Sequence, residues 1–132
     1  MNFDLKISLS DDKIIDLLSN MMVGADYWAK FDNSWKDNAD YQLDNTDTHY
    51  DEKLWNWLLN GGSFKVTDIE NGTEYIINLN IIKNALTLMA EVYPYNFADI
   101  VIGDSDSRTG DLFLQCCCFH ELIKKNCDSI YG

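Results

Sequence analysis

The chain has 132 residues, of which 46% are apolar and 13% aromatic, with a single proline. That is enough for one folded domain with a real core, and it excludes a disordered or low-complexity chain. Twenty-two acidic residues against ten basic ones leave a net charge of −12, which disfavours direct binding to nucleic acid or an anionic membrane and suits a basic protein partner.

Phe3, Leu5, Ile7 and Leu9 alternate with polar residues, the period of a half-buried strand. The opening residues lack the basic-then-apolar pattern of a signal peptide, and no run reaches the roughly 18 apolar residues of a membrane span. A cytoplasmic protein with reduced cysteines is expected. Ser10-Asp11-Asp12 predicts a helix start, and Ile14, Leu17, Leu18, Met21 and Met22 recur at helical spacing. Gly24 marks either a break or a close contact, because Tyr27, Trp28 and Phe31 continue the apolar spacing.

Residues 32–52 are rich in Asp, Asn and Thr, which bond to their own backbone and compete with helix. They predict a long acidic loop with one short helical turn. Leu54, Trp55, Trp57, Leu58 and Leu59 then give a short apolar helix that Gly61-Gly62 stops. Two strands follow, at about 63–69 and 74–79, with Asn71-Gly72 as the hairpin signal between them. Asn80 is the expected cap of the next helix, which Pro94 ends. A helical turn near 96–101, a polar Asp-rich loop and a very apolar final helix within 104–123 complete the chain. The expected fold is a single α+β domain over 1–132, with a small antiparallel or mixed sheet of about three strands packed against several helices.

No reaction centre is legible. The loop from Asp104 lacks the Gly and Glu of a calcium-binding EF-hand, since Thr109 and Gln115 stand at those positions. Cys116, Cys117 and Cys118 point in three directions on a helix and cannot converge with His120 on one zinc ion. A Cys117–His120 pair on one helix is a poor geometry for nucleophilic catalysis. No phosphate-binding or dinucleotide motif is present. The expectation is therefore no catalytic, metal or cofactor residue. The acidic segment stands out instead. Residues 26–52 carry eight carboxylates and two lysines, and Asp37, Asp40, Asp44, Asp47 and Asp51 are spaced three and four apart. On a helix this would be one stripe, a sparse copy of a phosphate ladder, although like charges at this spacing and poor helix formers oppose that conformation. Trp35 and Tyr41 lie among these carboxylates as candidate interface aromatics, beside Glu52.

The pattern Tyr27-Trp28, Gly61-Gly62, Ala85-Leu86-x-Leu88-Met89-Ala90, Tyr93-Pro94, Thr109-x-Asp111-x-Phe113-Leu114-Gln115, Phe119-x-Glu121 and Tyr131-Gly132 resembles a group of small phage- and prophage-encoded proteins. The likeness covers most of the chain and is thinnest over 32–52. The chain departs from the group's pattern at His120, where the pattern has Gly, and in carrying residues 124–129 before the Tyr-Gly ending. The resemblance implies a phage accessory protein and no catalytic residues.

Together these features predict a non-enzymatic inhibitor of a host nucleic-acid-targeting defence complex, similar to an anti-CRISPR or DNA-mimic protein. It would act in the host cytoplasm on a basic surface, through Asp37, Asp40, Asp44, Asp47, Asp51 and Glu52 with Trp35 and Tyr41. One alternative is a small-ligand or nucleotide-binding protein with a pocket between the sheet and the helix near Thr109. Another is a small hydrolase using a cysteine or the Asp106/Asp111 pair. The aromatic load is also compatible with a homodimer.

Overall fold

A computed structural model describes residues 7–38 and 50–125. The elements are α1 (Asp11–Gly24), β1 (Ala29–Phe31), α2 (Trp35–Asn38), α3 (Tyr50–Leu59), β2 (Ser63–Asp68), β3 (Glu74–Asn78), α4 (Leu79–Val92), α5 (Pro94–Val101) and α6 (Ser107–Phe119). The strands form one antiparallel sheet in the order β1-β2-β3. The fold is α+β, and the helices cover one face of that sheet.

Helix α6 is the centre of the core. Asp106 caps it by accepting from the Thr109 N–H at 2.9 Å, and every residue from Leu112 to Cys117 is buried. It packs on α1, α4 and α5, with α1 its most extensive neighbour. Two glycines set that closeness. A Cβ on Gly24 would lie 1.8 Å from the Ser107 carbonyl oxygen, and one on Gly110 would lie 2.3 Å from the backbone of Asn20 and Met21. The two helices therefore cross backbone to backbone. Gly24 both ends α1 and makes a close contact.

The sheet alternates as a half-buried sheet must. Phe64, Val66 and Asp68 of β2 and Ile77 of β3 point inward, while Lys65, Thr67 and Ile76 point away. The hairpin connects Asp68 to Thr73 through a four-residue loop in which Gly72 alone takes positive φ, at 75°. The Asn-Gly signal located the turn, and only its glycine uses the left-handed region.

Three expectations are corrected. The strand expected over Phe3–Leu9 is absent at residues 7–9, and Phe3 and Leu5 lie outside the described residues. The third strand is β1, which pairs Ala29 with Asp68 and Phe31 with Val66. The apolar residues around it fit helical and strand periods equally, and pairing with β2 decides between them. Asn78, not Asn80, caps α4, accepting from the Ile81 N–H at 2.9 Å. Asn78 still pairs with Ser63 at the end of the hairpin, so strand passes into helix with no intervening loop. Pro94 ends α4 as expected and also opens α5. Among the described residues of 32–52, one short helical turn, α2, and the first turn of α3 are present.

Candidate functional site

Two polar constellations stand out, one internal and one at the surface. The internal one is built on Asp111, in the second turn of α6. Its carboxylate accepts from Tyr27 Oη at 2.7 Å, Trp28 Nε1 at 2.8 Å and Gln115 Nε2 at 3.1 Å. Gln115, fully buried, passes the chain of bonds onward. Its Oε1 accepts from the backbone N–H of Ile123 and Lys124 at 2.8 and 2.6 Å, and its Nε2 donates to the Lys124 carbonyl at 3.0 Å. Lys124 Nζ then pairs with Asp68 at 3.0 Å and Glu70 at 2.9 Å. Asp68 is only 1% exposed, so Lys124 neutralises a carboxylate that would otherwise be stranded in the core.

This relay ties together α6, the turn before β1, the hairpin and the segment after α6. A buried amide or carboxylate needs all its partners, and here the partners come from four parts of the chain. The residues of the Tyr27-Trp28 and Asp111…Gln115 pattern thus meet in one internal network. Lys124 and Asp68 escaped sequence reasoning, and Gln115 entered it only as part of that pattern. The available signals were a glutamine inside an apolar run and a carboxylate at an inward strand position.

The thiols take no part in it. Burial pushes Cys116 up to about 11, and burial with the adjacent Asp68 pushes Cys118 up to about 12. Cys117, buried beside both, is also raised well above the ordinary thiol value. All three stay protonated at neutral pH, which is the wrong state for a nucleophile. His120 is exposed, whereas Cys117 is buried. Asp106 accepts the cap bond of α6, and Asp111 accepts the bonds of the relay. Among the described residues no three of His, Cys, Asp and Glu are placed to hold a metal ion. Thr109 is buried, and Gly110 packs on the backbone of α1.

The surface constellation is built on a bond between the second turn of α3 and the start of α1. Trp55 of α3 donates from Nε1 to Asp11 Oδ1 at 2.9 Å. That bond seats α3 beside the start of α1, which carries Asp11 and Asp12. Asp51 and Glu52 stand about one turn before Trp55. Four carboxylates therefore lie in the first turns of two helices joined by that bond, where the positive helix ends favour them. Next to them Tyr50 packs edge-on against Trp35 with ring centroids 5.4 Å apart, and its hydroxyl donates to Asn33 Oδ1 at 2.6 Å. Lys36 lies over the Tyr50 ring at 4.1 Å.

These contacts correct part of the expected site. Trp35 is 4% exposed, packed between Tyr50 and Trp57, and offers a partner no surface. Asp37 belongs to α2 and Asp51 to α3. Fifteen residues of helix would hold Trp35 and Tyr50 about 22 Å apart, whereas their rings touch. Asp37 and Asp51 therefore do not share one helical stripe. Glu52 is exposed and Asp51 half-buried. Asp40, Tyr41, Asp44 and Asp47 lie outside the described residues. Asp11 and Asp12 are carboxylates of the site that the stripe pattern missed, because they join it only through the fold.

No protein-family model, curated protein or solved structure matches the chain. Among the described residues no helix is long and apolar enough to cross a membrane.

Proposed function

We propose that this protein is a non-enzymatic accessory protein that docks on a basic, nucleic-acid-handling surface of another protein and blocks it. In the reading that the phage resemblance implies, the partner is a host defence complex in the host cytoplasm, and the action is anti-CRISPR-like or DNA-mimicking. The observation that carries the proposal is the Trp55–Asp11 bond, which ties α3, with Asp51 and Glu52 in its first turn, to the start of α1, with Asp11 and Asp12. The chain's net charge of −12 adds long-range attraction to a cationic channel. By contrast, the other well-developed polar network is consumed by internal bonds.

The test is binding to nucleic-acid-free restriction and RNA-guided nuclease complexes, with duplex DNA as competitor. The expected result is a complex that DNA displaces and that weakens steeply between about 50 and about 300 mM salt. The variant Asp12→Asn/Asp51→Asn/Glu52→Gln, which spares the Trp55–Asp11 bond, should weaken it at least about tenfold with little change in melting temperature. Binding that ignores salt, DNA and this variant would sink the proposal.

A further inference from the structure

Glycine follows asparagine at two places in the chain, Asn60-Gly61 at the end of α3 and Asn71-Gly72 at the hairpin tip. All four residues are exposed. We propose that the hairpin tip is a self-modification site. Asn71 converts to aspartate and isoaspartate, the isoaspartyl form is a substrate for an isoaspartyl-specific carboxyl methyltransferase, and Asn60 is held back by its helix. The assignment does not rest on the docking reading and uses none of its residues.

The chemistry needs only the chain and water. The Gly72 amide nitrogen gives up its proton and attacks Asn71 Cγ. A C–N bond forms, the Cγ–Nδ2 bond breaks, and Nδ2 leaves as ammonia with a proton that replaces the one lost by Gly72. The product is a cyclic imide, which water opens. Cleavage at Cγ gives aspartate. Cleavage at the backbone carbonyl carbon gives isoaspartate, whose main chain runs through Cβ and Cγ. Glycine suits the attacking position because no Cβ obstructs the approach.

The two asparagine side chains are turned in opposite directions. Asn71 Oδ1 accepts from the Thr73 N–H at 2.9 Å, so its carboxamide is folded forward across Gly72. Attack at Cγ places negative charge on that same oxygen, at which the Thr73 N–H is already aimed, and a preset donor of this kind stabilises an oxyanion. Asn60 Nδ2 instead donates to the Asn56 carbonyl at 2.8 Å, back along α3.

The backbones differ as well. Gly61 and Gly62 donate to the Leu58 and Trp57 carbonyls at 3.1 and 2.8 Å, which closes the end of α3. Trp57 lies so close that a Cβ on Gly62 would stand 2.2 Å from its ring. Imide formation at Asn60 therefore has to unwind a packed helix end. At the hairpin tip, attack gives up the bond from the Gly72 N–H to the Asp68 carbonyl at 2.7 Å, within a loop that is exposed from Ile69 to Glu74. Conversion also adds a carboxylate next to Glu70, a partner of Lys124.

The test ages the full chain at mildly alkaline pH, folded and in guanidinium chloride. Tryptic peptides over 54–65 and 66–83 separate the two sites. In the folded chain, isoaspartate should appear in 66–83 at least about tenfold faster than in 54–65. That peptide should also take a labelled methyl group from S-adenosylmethionine when the methyltransferase is added, and Asn71→Gln should abolish the label. In guanidinium chloride the two rates should converge. Thr73→Pro, which removes the N–H aimed at Oδ1, should slow conversion of Asn71 at least about tenfold. Should that variant fail to fold, the comparison of folded with denatured chain still decides. Conversion of Asn60 as fast as Asn71 in the folded chain, the same ratio of rates in both states, a folded Thr73→Pro variant with an unchanged rate, or no methyl label in 66–83 would each overturn the assignment.

Discussion

His120 adopts φ 63°, the left-handed conformation, just past the end of α6. A residue with a Cβ is strained there by about 1–2 kcal/mol, and glycine is the usual occupant. His120→Gly should therefore raise stability by about 1 kcal/mol in urea unfolding, with the relay intact. A second residue-scale effect is at Asp106. The Thr109 N–H that it accepts from holds its carboxyl below the ordinary carboxylate range, against a smaller opposing effect of burial. A lowered folded value stabilises the native state above the unfolded pKa of about 3.9, and that contribution fades as pH falls through the folded value. The melting-temperature gap between wild type and Asp106→Ala should be constant above about pH 5 and shrink below about pH 4.

At the scale of elements, the crossing of α1 and α6 and the clasp of the segment after α6 set the architecture. Gly110→Ala gains helix propensity of about 1 kcal/mol but drives a Cβ to 2.3 Å from the backbone of α1, where nothing flexible can yield. Net destabilisation above about 2 kcal/mol is expected by thermal or chemical unfolding. Lys124→Ala strands Asp68, a carboxylate that is 1% exposed. A loss of about 3 kcal/mol is expected, with partial recovery in the Asp68→Asn/Lys124→Ala double variant. Much of this level was legible in the sequence. The hairpin, the capped final helix, α1, α4 and its proline stop all follow from local chemistry. What was not legible depends on partners distant along the chain. Trp28 reads as core, but its bond to Asp111 spans 83 residues. Trp35 reads as an interface aromatic until Tyr50 and Trp57 close around it. The strand at 29–31 exists because β2 pairs with it, and no local period separates it from helix.

For the molecule as a whole, the net charge of −12 has an effect independent of any partner. Exposed carboxylates occur on α1, α3, α4, the hairpin and the loop before α6, so self-repulsion is spread over the surface. Screening should relieve it. Melting temperature is expected to climb as NaCl rises from about 10 to about 300 mM, while docking on a cationic partner weakens over the same range. A flat or falling melting curve would show that local pairs such as Lys65 with Asp32 and Glu74 already balance the field.

The contact between Gly24 and Ser107 also bears on how the chain is made. Their positions differ by 83 residues, so during translation at about 5–20 residues per second the apolar side of the first helix waits between about 4 and 17 s for its mate to be synthesised. Maturation on the ribosome is therefore late, and a nascent chain stalled before residue 107 would be a natural client for chaperones.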